Sequence, residues 1–221
     1  MGSAARMSFS SLRQPIITLD GPAAAGKSTA ARLVAKRLGL RFLDTGAMYR
    51  AVTWKARRLG VTDPVRIAAM IRATCLTVEP DRVLCDGQDV TRDIRDPEVT
   101  AAVRPIAESA ECRAELVRLQ QEIGKSGGLV TEGRDQGSVV FPGAEFKFYL
   151  DATVDVRAKR RHLELGGDLG AIRGAIERRD AEDLVRPVAP LVRPEGAIVI
   201  DTSDLTVEEV VARILGAIGS P

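Results

Sequence analysis

Hydrophobic and polar positions follow two alternating patterns along most of this chain. Short apolar runs bounded by turn residues are typical of buried strands, and longer stretches with apolar residues three or four positions apart are typical of helices. The run PIITLD at 15–20 predicts a strand, residues 29–38 predict a helix, and residues 40–43 predict a second strand. Further strands are predicted at 129–131, 146–151 and 197–201. This alternation favours an α/β fold with a parallel sheet in a three-layer arrangement.

Residues 62–95 interrupt the alternation. A predicted helix at 63–73 is followed by short β segments, which are joined by the tight turns Pro80-Asp81 and Asp86-Gly87. Such segments favour a small antiparallel insertion that acts as a substrate lobe. The other predicted helices lie at about 46–59, 97–107, 110–123, 154–165, 168–182 and 206–218. We expect a single domain over 14–221, preceded by a mobile tail over 1–13.

The residues between the first strand and the first helix carry the clearest chemical signal. GPAAAGKS at 21–28 fits G-x-x-x-x-G-K-[ST], which places backbone N–H groups and a helix N-terminus around phosphate. Lys27 would reach the β and γ phosphates of ATP, and the Ser28 hydroxyl would ligate Mg²⁺. The alternative is a glycine turn that opens a core helix. The predicted phosphate-binding residues are Gly21, Pro22, Ala23, Ala24, Ala25, Gly26, Lys27, Ser28 and Thr29.

Polar residues follow two other predicted strands. Thr45 and Arg50 come after the second strand, and an arginine there can fork onto a second phosphate, although it can equally occupy a solvated helix face. Glu132 ends the strand at 129–131, where it would either orient water on Mg²⁺ or simply cap the strand. The helices over 157–186 are dense in arginine and predict a lid over triphosphate, with two solvated helix faces as the alternative.

Composition narrows the remaining possibilities. Lys and Arg total 32 against 30 Asp and Glu, so nothing indicates a nucleic-acid or membrane surface. The three cysteines, Cys75, Cys85 and Cys112, are widely spaced and predict buried thiols in a reducing compartment. The sequence has no apolar run of membrane-spanning length and no secretory pattern. We expect a cytoplasmic monomer.

The segments ITLDGPAAAGKST, LDTGAMYR, EGRDQGSVVFP, LDATVDVRAKRR and RRDAEDLVRPVAPL together resemble the motifs of the bacterial cytidylate kinase family, which belongs to the nucleoside monophosphate kinases. The resemblance spans about residues 15–216. The P-loop alone indicates only a nucleoside triphosphate site, whereas the combination of motifs is specific. It implies a P-loop core, a short helical lid and an enlarged insertion that binds the nucleoside monophosphate.

The resemblance also implies roles for individual residues. The residues implied to hold cytosine are Thr45, Arg113 and Asp135. Those implied to hold the acceptor phosphate are Arg50, Arg134 and Arg186, and those implied to hold the sugar are Arg179 and Asp183. Arg160 is implied to reach the donor triphosphate, which gives a catalytic set of Lys27, Arg50, Arg134, Arg160 and Arg186. An ionised Asp135 suits cytosine binding because it only accepts hydrogen bonds, as the exocyclic amine of cytosine requires.

Arg104 departs from the family pattern, which has a serine near the sugar at this position. We expect its guanidinium to pair with Asp183 and fix the orientation of that carboxylate. The predicted activity is ATP- and Mg²⁺-dependent phosphorylation of CMP and dCMP to CDP and dCDP. The alternatives are another P-loop kinase that acts on UMP or shikimate, and a non-catalytic nucleotide-binding module. A GTPase switch is disfavoured because the chain lacks an N-K-x-D motif.

Overall fold

A five-stranded parallel sheet forms the centre of the computed structural model, which describes residues 14–219. Its strands are β1 (Ile16–Asp20), β2 (Arg41–Asp44), β6 (Leu129–Glu132), β7 (Phe146–Asp151) and β8 (Ile198–Asp201). They lie in the order β2-β6-β1-β7-β8 and every neighbouring pair is parallel. The predicted parallel α/β sheet is therefore confirmed. The predicted tail over 1–13 lies outside the described residues.

Nine α-helices are present within residues 14–219. They are α1 (Lys27–Leu38), α2 (Thr45–Arg58), α3 (Pro64–Arg72), α4 (Pro97–Ala101), α5 (Arg104–Glu108), α6 (Ala110–Gly124), α7 (Val154–Leu165), α8 (Leu169–Val185) and α9 (Val207–Ile218). α1 begins without a side-chain cap, so its first backbone N–H groups stay available to a ligand. In contrast, a complete capping box at Thr206 and Glu209 closes the start of α9.

Apolar packing on both faces of the sheet produces the three layers. On one face, α1 and α9 cover the sheet with residues such as Val34 and Ile214. On the other face, α2, α3 and α6 pack Met48, Ile71 and Leu116 into a second cluster. The central strands are buried on both sides, which explains their continuous apolar sequences.

The insertion forms a separate antiparallel sheet of β3 (Leu76–Val78), β4 (Val83–Cys85) and β5 (Gln88–Asp89). Val83, Cys85 and Val90 pack this sheet against Ala47 and Ala51 of α2. The predicted small antiparallel sheet is thus confirmed, and its apolar face attaches to the helix that follows β2. This attachment brings the insertion next to the carboxyl edge of the main sheet.

Three local expectations were wrong or incomplete. The single helix predicted at 97–107 is broken into α4 and α5, because Pro105 lacks an N–H and its ring would clash with the carbonyl of Ala101. Cys75 is exposed, whereas Cys85 and Cys112 are buried as expected. A single π-helical turn at Gln136–Val140 was not predicted. None of the described helices combines the length and apolar character that a membrane span requires.

Candidate active site

The predicted phosphate loop lies where β1 meets α1, at the carboxyl edge of the sheet. Gly21 adopts φ 142°, and a Cβ at this position would lie 1.9 Å from the carbonyl oxygen of Leu150, so only glycine fits. Gly26 precedes α1 in the left-handed conformation and leaves that helix N-terminus open. The local geometry therefore matches a loop whose backbone surrounds phosphate.

Lys27 is buried within this loop, and its Nζ donates a 2.7 Å hydrogen bond to the carbonyl oxygen of Pro22. Burial, followed by the nearby positive charge of Arg134, lowers the pKa of Lys27 to about 7, while the negative charge of Glu132 opposes the change. The lysine is thus folded back onto its own loop with its ammonium only weakly favoured. An incoming anion would supply the charge that the site lacks.

Glu132 joins the loop to the neighbouring strands. The Ser28 hydroxyl donates a 3.0 Å hydrogen bond to Glu132 Oε1, and the Thr45 hydroxyl donates a 2.7 Å hydrogen bond to the backbone carbonyl of Glu132. Burial, followed by the charge of Asp44, raises the pKa of the Glu132 carboxyl. A serine hydroxyl and a carboxylate therefore lie side by side next to the phosphate loop.

The three residues implied to hold the base meet as follows. The buried guanidinium of Arg113 on α6 pairs with the buried carboxylate of Asp135, and it also donates a 3.1 Å hydrogen bond to the hydroxyl of Tyr49. Thr45 approaches the same region from α2, because its hydroxyl contacts Glu132 three residues before Asp135. A buried ion pair of this kind offers one acceptor and one donor group in a fixed geometry.

The residues implied to hold the acceptor phosphate and sugar come from α2, from the segment after β6, and from α8 with its C-terminal cap. Arg134 Nε donates to Asp183 Oδ2 at 2.8 Å, and Arg50 lies 3.5 Å from Asp44. The guanidinium of Arg186 donates to the carbonyl oxygen of Ala189, which orders the chain after α8. Arg134 and Asp183 are therefore brought together. Arg50 lies at the same edge of the sheet, one turn into α2.

Arg179 lies at the solvent-accessible side of this cluster. Crowding by protein atoms, followed by the positive charge of Arg134, lowers the pKa of Arg179, and Asp183 partly offsets the effect. Burial, followed by the charge of Arg113, similarly lowers the pKa of Arg186. Mutual repulsion among these cations leaves a site that favours an anion.

The expected pair between Arg104 and Asp183 is wrong. Arg104 instead donates 2.8 Å hydrogen bonds to Glu108 on its own helix and to Glu182. Asp183 points the other way, toward Arg134. Because Glu182 and Asp183 are adjacent on α8, their side chains project in directions about 100° apart, so only one of them can face Arg104.

Helices α7 and α8, which were predicted to form a lid, connect to the phosphate loop through two arginines. Arg157 is buried, donates a 3.3 Å hydrogen bond to the Ala23 carbonyl oxygen, and pairs with Asp180 of α8 at 2.6 Å. Arg160 donates a 2.9 Å hydrogen bond to the Thr202 hydroxyl, which in turn donates to the Ala25 carbonyl oxygen at 3.2 Å. Arg160 therefore lies beside the loop.

Sequence reasoning missed several residues that organise this edge. Asp20 is fully buried and accepts 2.7 Å hydrogen bonds from the backbone N–H groups of Gln136 and Gly137. The structural roles of Arg157 and Thr202 were also missed. The only signal for Asp20 was a charged residue at the end of an apolar strand, and the partners of Thr202 are too distant in sequence to be inferred.

A parallel α/β sheet with this glycine loop at its carboxyl edge defines a P-loop kinase fold. A shikimate kinase from Bacteroides thetaiotaomicron has a similar structure, with a TM-score of 0.52 and 15% sequence identity over 93% of this chain and 98% of that one. An uncharacterized protein from Eubacterium ventriosum gives a TM-score of 0.55 at 11% identity, over 94% and 100% of the two chains. At these identities, the likeness concerns the fold alone.

Sequence comparison identifies the family. The family model described as "Cytidylate kinase" matches residues 17–220. A cytidylate kinase from Symbiobacterium thermophilum is 45% identical over 215 residues, which cover 92% of this chain and 95% of that protein. Another from Caldanaerobacter subterraneus is 44% identical over 209 residues, covering 91% and 93%. The chain belongs to the cytidylate kinase family, and the resemblance seen in its motifs is confirmed.

Proposed function

We propose that this protein transfers the γ-phosphoryl group of ATP to CMP and dCMP, giving ADP and CDP or dCDP. The observation that carries the proposal is the position of the buried Arg113–Asp135 pair at the same sheet edge as Lys27. A donor site and a base-reading site thus lie at the ends of adjacent strands. Ligands of open α/β sheets bind at this edge.

Base selection follows from the chemistry of Asp135. Its carboxylate, oriented by Arg113, accepts a hydrogen bond from the exocyclic amine of cytosine. Uracil presents a carbonyl oxygen at the same place, so two acceptors would face each other with no hydrogen between them. An unsatisfied buried acceptor costs about 1–3 kcal/mol, which corresponds to roughly a tenfold to hundredfold preference for CMP over UMP.

The phosphate-binding residues supply most of the catalytic effect. Arg50, Arg134 and Arg186 hold the acceptor phosphate, while Lys27 and Arg160 contact the donor. A phosphate oxygen is already anionic near neutral pH, so no side chain has to remove a proton from it. Positioning of the two substrates and stabilisation of charge on the transferring group therefore carry the rate.

The residues around Ser28 fit a magnesium ion. Its hydroxyl and the Glu132 carboxylate are hard oxygen groups 3.0 Å apart, and Mg²⁺ in kinases takes one or two such groups together with water and substrate phosphates. Within residues 14–219 no group of three or more His, Cys, Asp or Glu side chains could hold a metal by itself, so in this proposal ATP supplies further ligands. The ion would neutralise charge on the β and γ phosphates.

We further propose that the insertion at 62–95 closes on the acceptor nucleotide and that the lid at 157–186 closes on the donor. The insertion packs against α2, which carries Arg50, and the lid helices carry Arg160. Each unit therefore connects a substrate-contacting arginine to a peripheral element. In this proposal the protein acts as a monomer in the cytoplasm, where nucleotide substrates are available.

A coupled ADP-release assay tests the function. The protein is assayed with CMP, dCMP, UMP, AMP and shikimate as acceptors, and the proposal requires the highest kcat/KM for CMP or dCMP. Asp135→Ala should lower kcat/KM for CMP about tenfold more than for UMP, since only cytosine loses its acceptor. Glu122→Ala, which removes an exposed carboxylate paired with Lys125, is the matched control. Preference for shikimate or absence of turnover would reject the proposal.

A further inference from the structure

Gln136, the residue that follows Asp135, is held by hydrogen bonds from both its backbone and its side chain. Gln136 is 1% exposed and begins the π-helical turn that ends at Val140. Its backbone N–H donates to Asp20, which also accepts from Gly137. Two hydrogen bonds to one carboxylate fix the direction of this backbone segment, and the preceding Asp135 is fixed with it.

The Gln136 side chain is bound at both ends. Its Oε1 accepts a 2.9 Å hydrogen bond from the Thr131 hydroxyl, and its Nε2 donates a 3.1 Å hydrogen bond to Gln120 Oε1. All three side chains are fully or almost fully buried. They form a polar chain, which we name the Thr131–Gln136–Gln120 chain, behind the base-reading carboxylate.

One atom of this chain carries a cost to stability. The Nε2 atom of Gln120 is buried without a hydrogen-bond partner among the described residues, and such an orphaned donor destabilises the fold. An apolar side chain at position 120 would remove that orphaned donor but would leave Gln136 Nε2 without its acceptor. The glutamine is therefore better explained by the orientation that it gives to Gln136.

Helix α6 contacts both Asp135 and Gln136, which follow strand β6. Arg113 and Gln120 are seven residues apart on α6 and so lie on the same helix face. Arg113 pairs with Asp135, while Gln120 bonds to Gln136. The two contacts together prevent the Asp135–Gln136 segment from rotating relative to α6.

We infer that Gln136, held by Gln120 and Thr131, is a positioning residue that sets the base selectivity of this enzyme. The inference rests on the proposed function, in which Asp135 reads the cytosine amine. The Thr131–Gln136–Gln120 chain contacts no substrate itself. It fixes the angle at which the Asp135 carboxylate meets the base, and an error of about 1 Å in such a position can cost up to a hundredfold.

The inference predicts a change in selectivity without a change at the donor site. Gln120→Met keeps the side-chain length but removes the acceptor for Gln136. We expect the ratio of kcat/KM for CMP to that for UMP to fall about tenfold, mainly through a higher KM for CMP, with the KM for ATP unchanged. Thr131→Val, which is nearly isosteric and removes only a hydroxyl, should lower the same ratio in the same direction and serves if Gln120→Met folds poorly.

Gln121→Met is the matched control. Gln121 follows Gln120 on α6 and donates a 3.0 Å hydrogen bond to the Val140 carbonyl oxygen, at the far end of the π-helical turn. Its replacement should leave the CMP to UMP ratio unchanged. Thermal unfolding of all variants separates selectivity from stability, because a merely structural role would lower the melting temperature and leave the ratio intact.

Asp135→Ala, measured in parallel, separates failure of the inference from failure of the proposed function. If Asp135→Ala does not alter the CMP to UMP ratio, Asp135 does not read the base and the proposed recognition fails. If Asp135→Ala collapses the ratio but folded Gln120→Met and Thr131→Val both retain it, the positioning role is overturned. Equal loss of selectivity in Gln121→Met would also overturn it.

Discussion

Proton uptake on ATP binding is a direct consequence of the environment of Lys27. In the free protein, burial and the charge of Arg134 lower the pKa of Lys27 to about 7. A bound triphosphate favours the ammonium form and therefore raises this pKa again. Between pH 7 and the higher pKa of the bound state, binding must take up a proton, so ATP affinity falls as pH rises.

The magnitude follows from the interval between about 7 and the ordinary value of 10.5. With a free-state pKa near 7, Lys27 takes up about 0.9 proton at pH 8 and about 0.1 proton at pH 6. Affinity should decline by up to about tenfold for each pH unit above 7.

Isothermal titration calorimetry measures this uptake. ATP is titrated into the protein at pH 6 and pH 8, each in two buffers with different protonation enthalpies, and the slope of the observed enthalpy gives the number of protons. The terminal phosphate of ATP titrates near pH 6 and adds its own contribution at the lower pH. Lys27→Met retains that contribution and lacks the lysine, so the difference between the two proteins isolates Lys27.

Two results would refute the reasoning. Uptake at pH 8 that does not exceed uptake at pH 6 would show that Lys27 is already charged in the free protein. Equal uptake by the Lys27→Met variant would assign the proton to another group, such as Glu132, whose pKa is raised by burial. In turnover assays, Lys27→Met should lower kcat by at least about a hundredfold, since loss of one preorganised charge contact costs roughly 3 kcal/mol.

Three further predictions concern the sugar site and the core. CMP and dCMP should differ by less than about tenfold in kcat/KM. Asp183 keeps Arg134 as a partner when the 2′-hydroxyl is absent, so loss of that hydroxyl costs only about 1 kcal/mol. Asp183→Ala should impair both substrates, and a hundredfold preference for CMP would contradict the argument. Arg104→Ser should leave both values within about twofold, since Arg104 pairs only with carboxylates outside the cluster, and a selective loss of CMP activity would disprove this. Gly124→Ala should destabilise the protein by about 1–3 kcal/mol, because the new Cβ would lie 2.4 Å from the Phe141 ring; an unchanged melting temperature would show that the ring moves freely.

The strands and the phosphate loop could be predicted because their signals are local. The run at 15–20 is apolar on both faces, as a central parallel strand must be, and it became β1. The glycine pattern at 21–28 needs no long-range information, since Gly21 and Gly26 take positive φ values within the loop itself. The end of α1 could also be predicted, because its C-cap is a glycine, Gly39.

The pairing of charged residues could not be predicted in the same way. Arg104 was expected to pair with Asp183. It instead pairs with Glu182, the residue that precedes Asp183 in the sequence. The choice depends on the rotation of α8 about its axis, and the polar composition of that helix does not specify which face is buried. Asp20 and Gln136 are separated by 116 residues, so their contact appears only once strand order is known. The motif resemblance grouped residues that are distant in sequence, such as Arg113 and Asp135, which the hydrophobic periodicity could not do.

The crowding of positive charge around the phosphate loop affects more than catalysis. The buried Lys27 and the solvent-accessible Arg179 both have pKa values lowered by crowding from protein atoms and then by the charge of Arg134, so a bound phosphate group would relieve the repulsion among these cations. A ligand present at a hundred times its Kd stabilises the folded state by about 2.7 kcal/mol. The lifetime of this protein under proteolysis should therefore increase with the concentration of its nucleotide substrates, and a fall in ATP should shorten it.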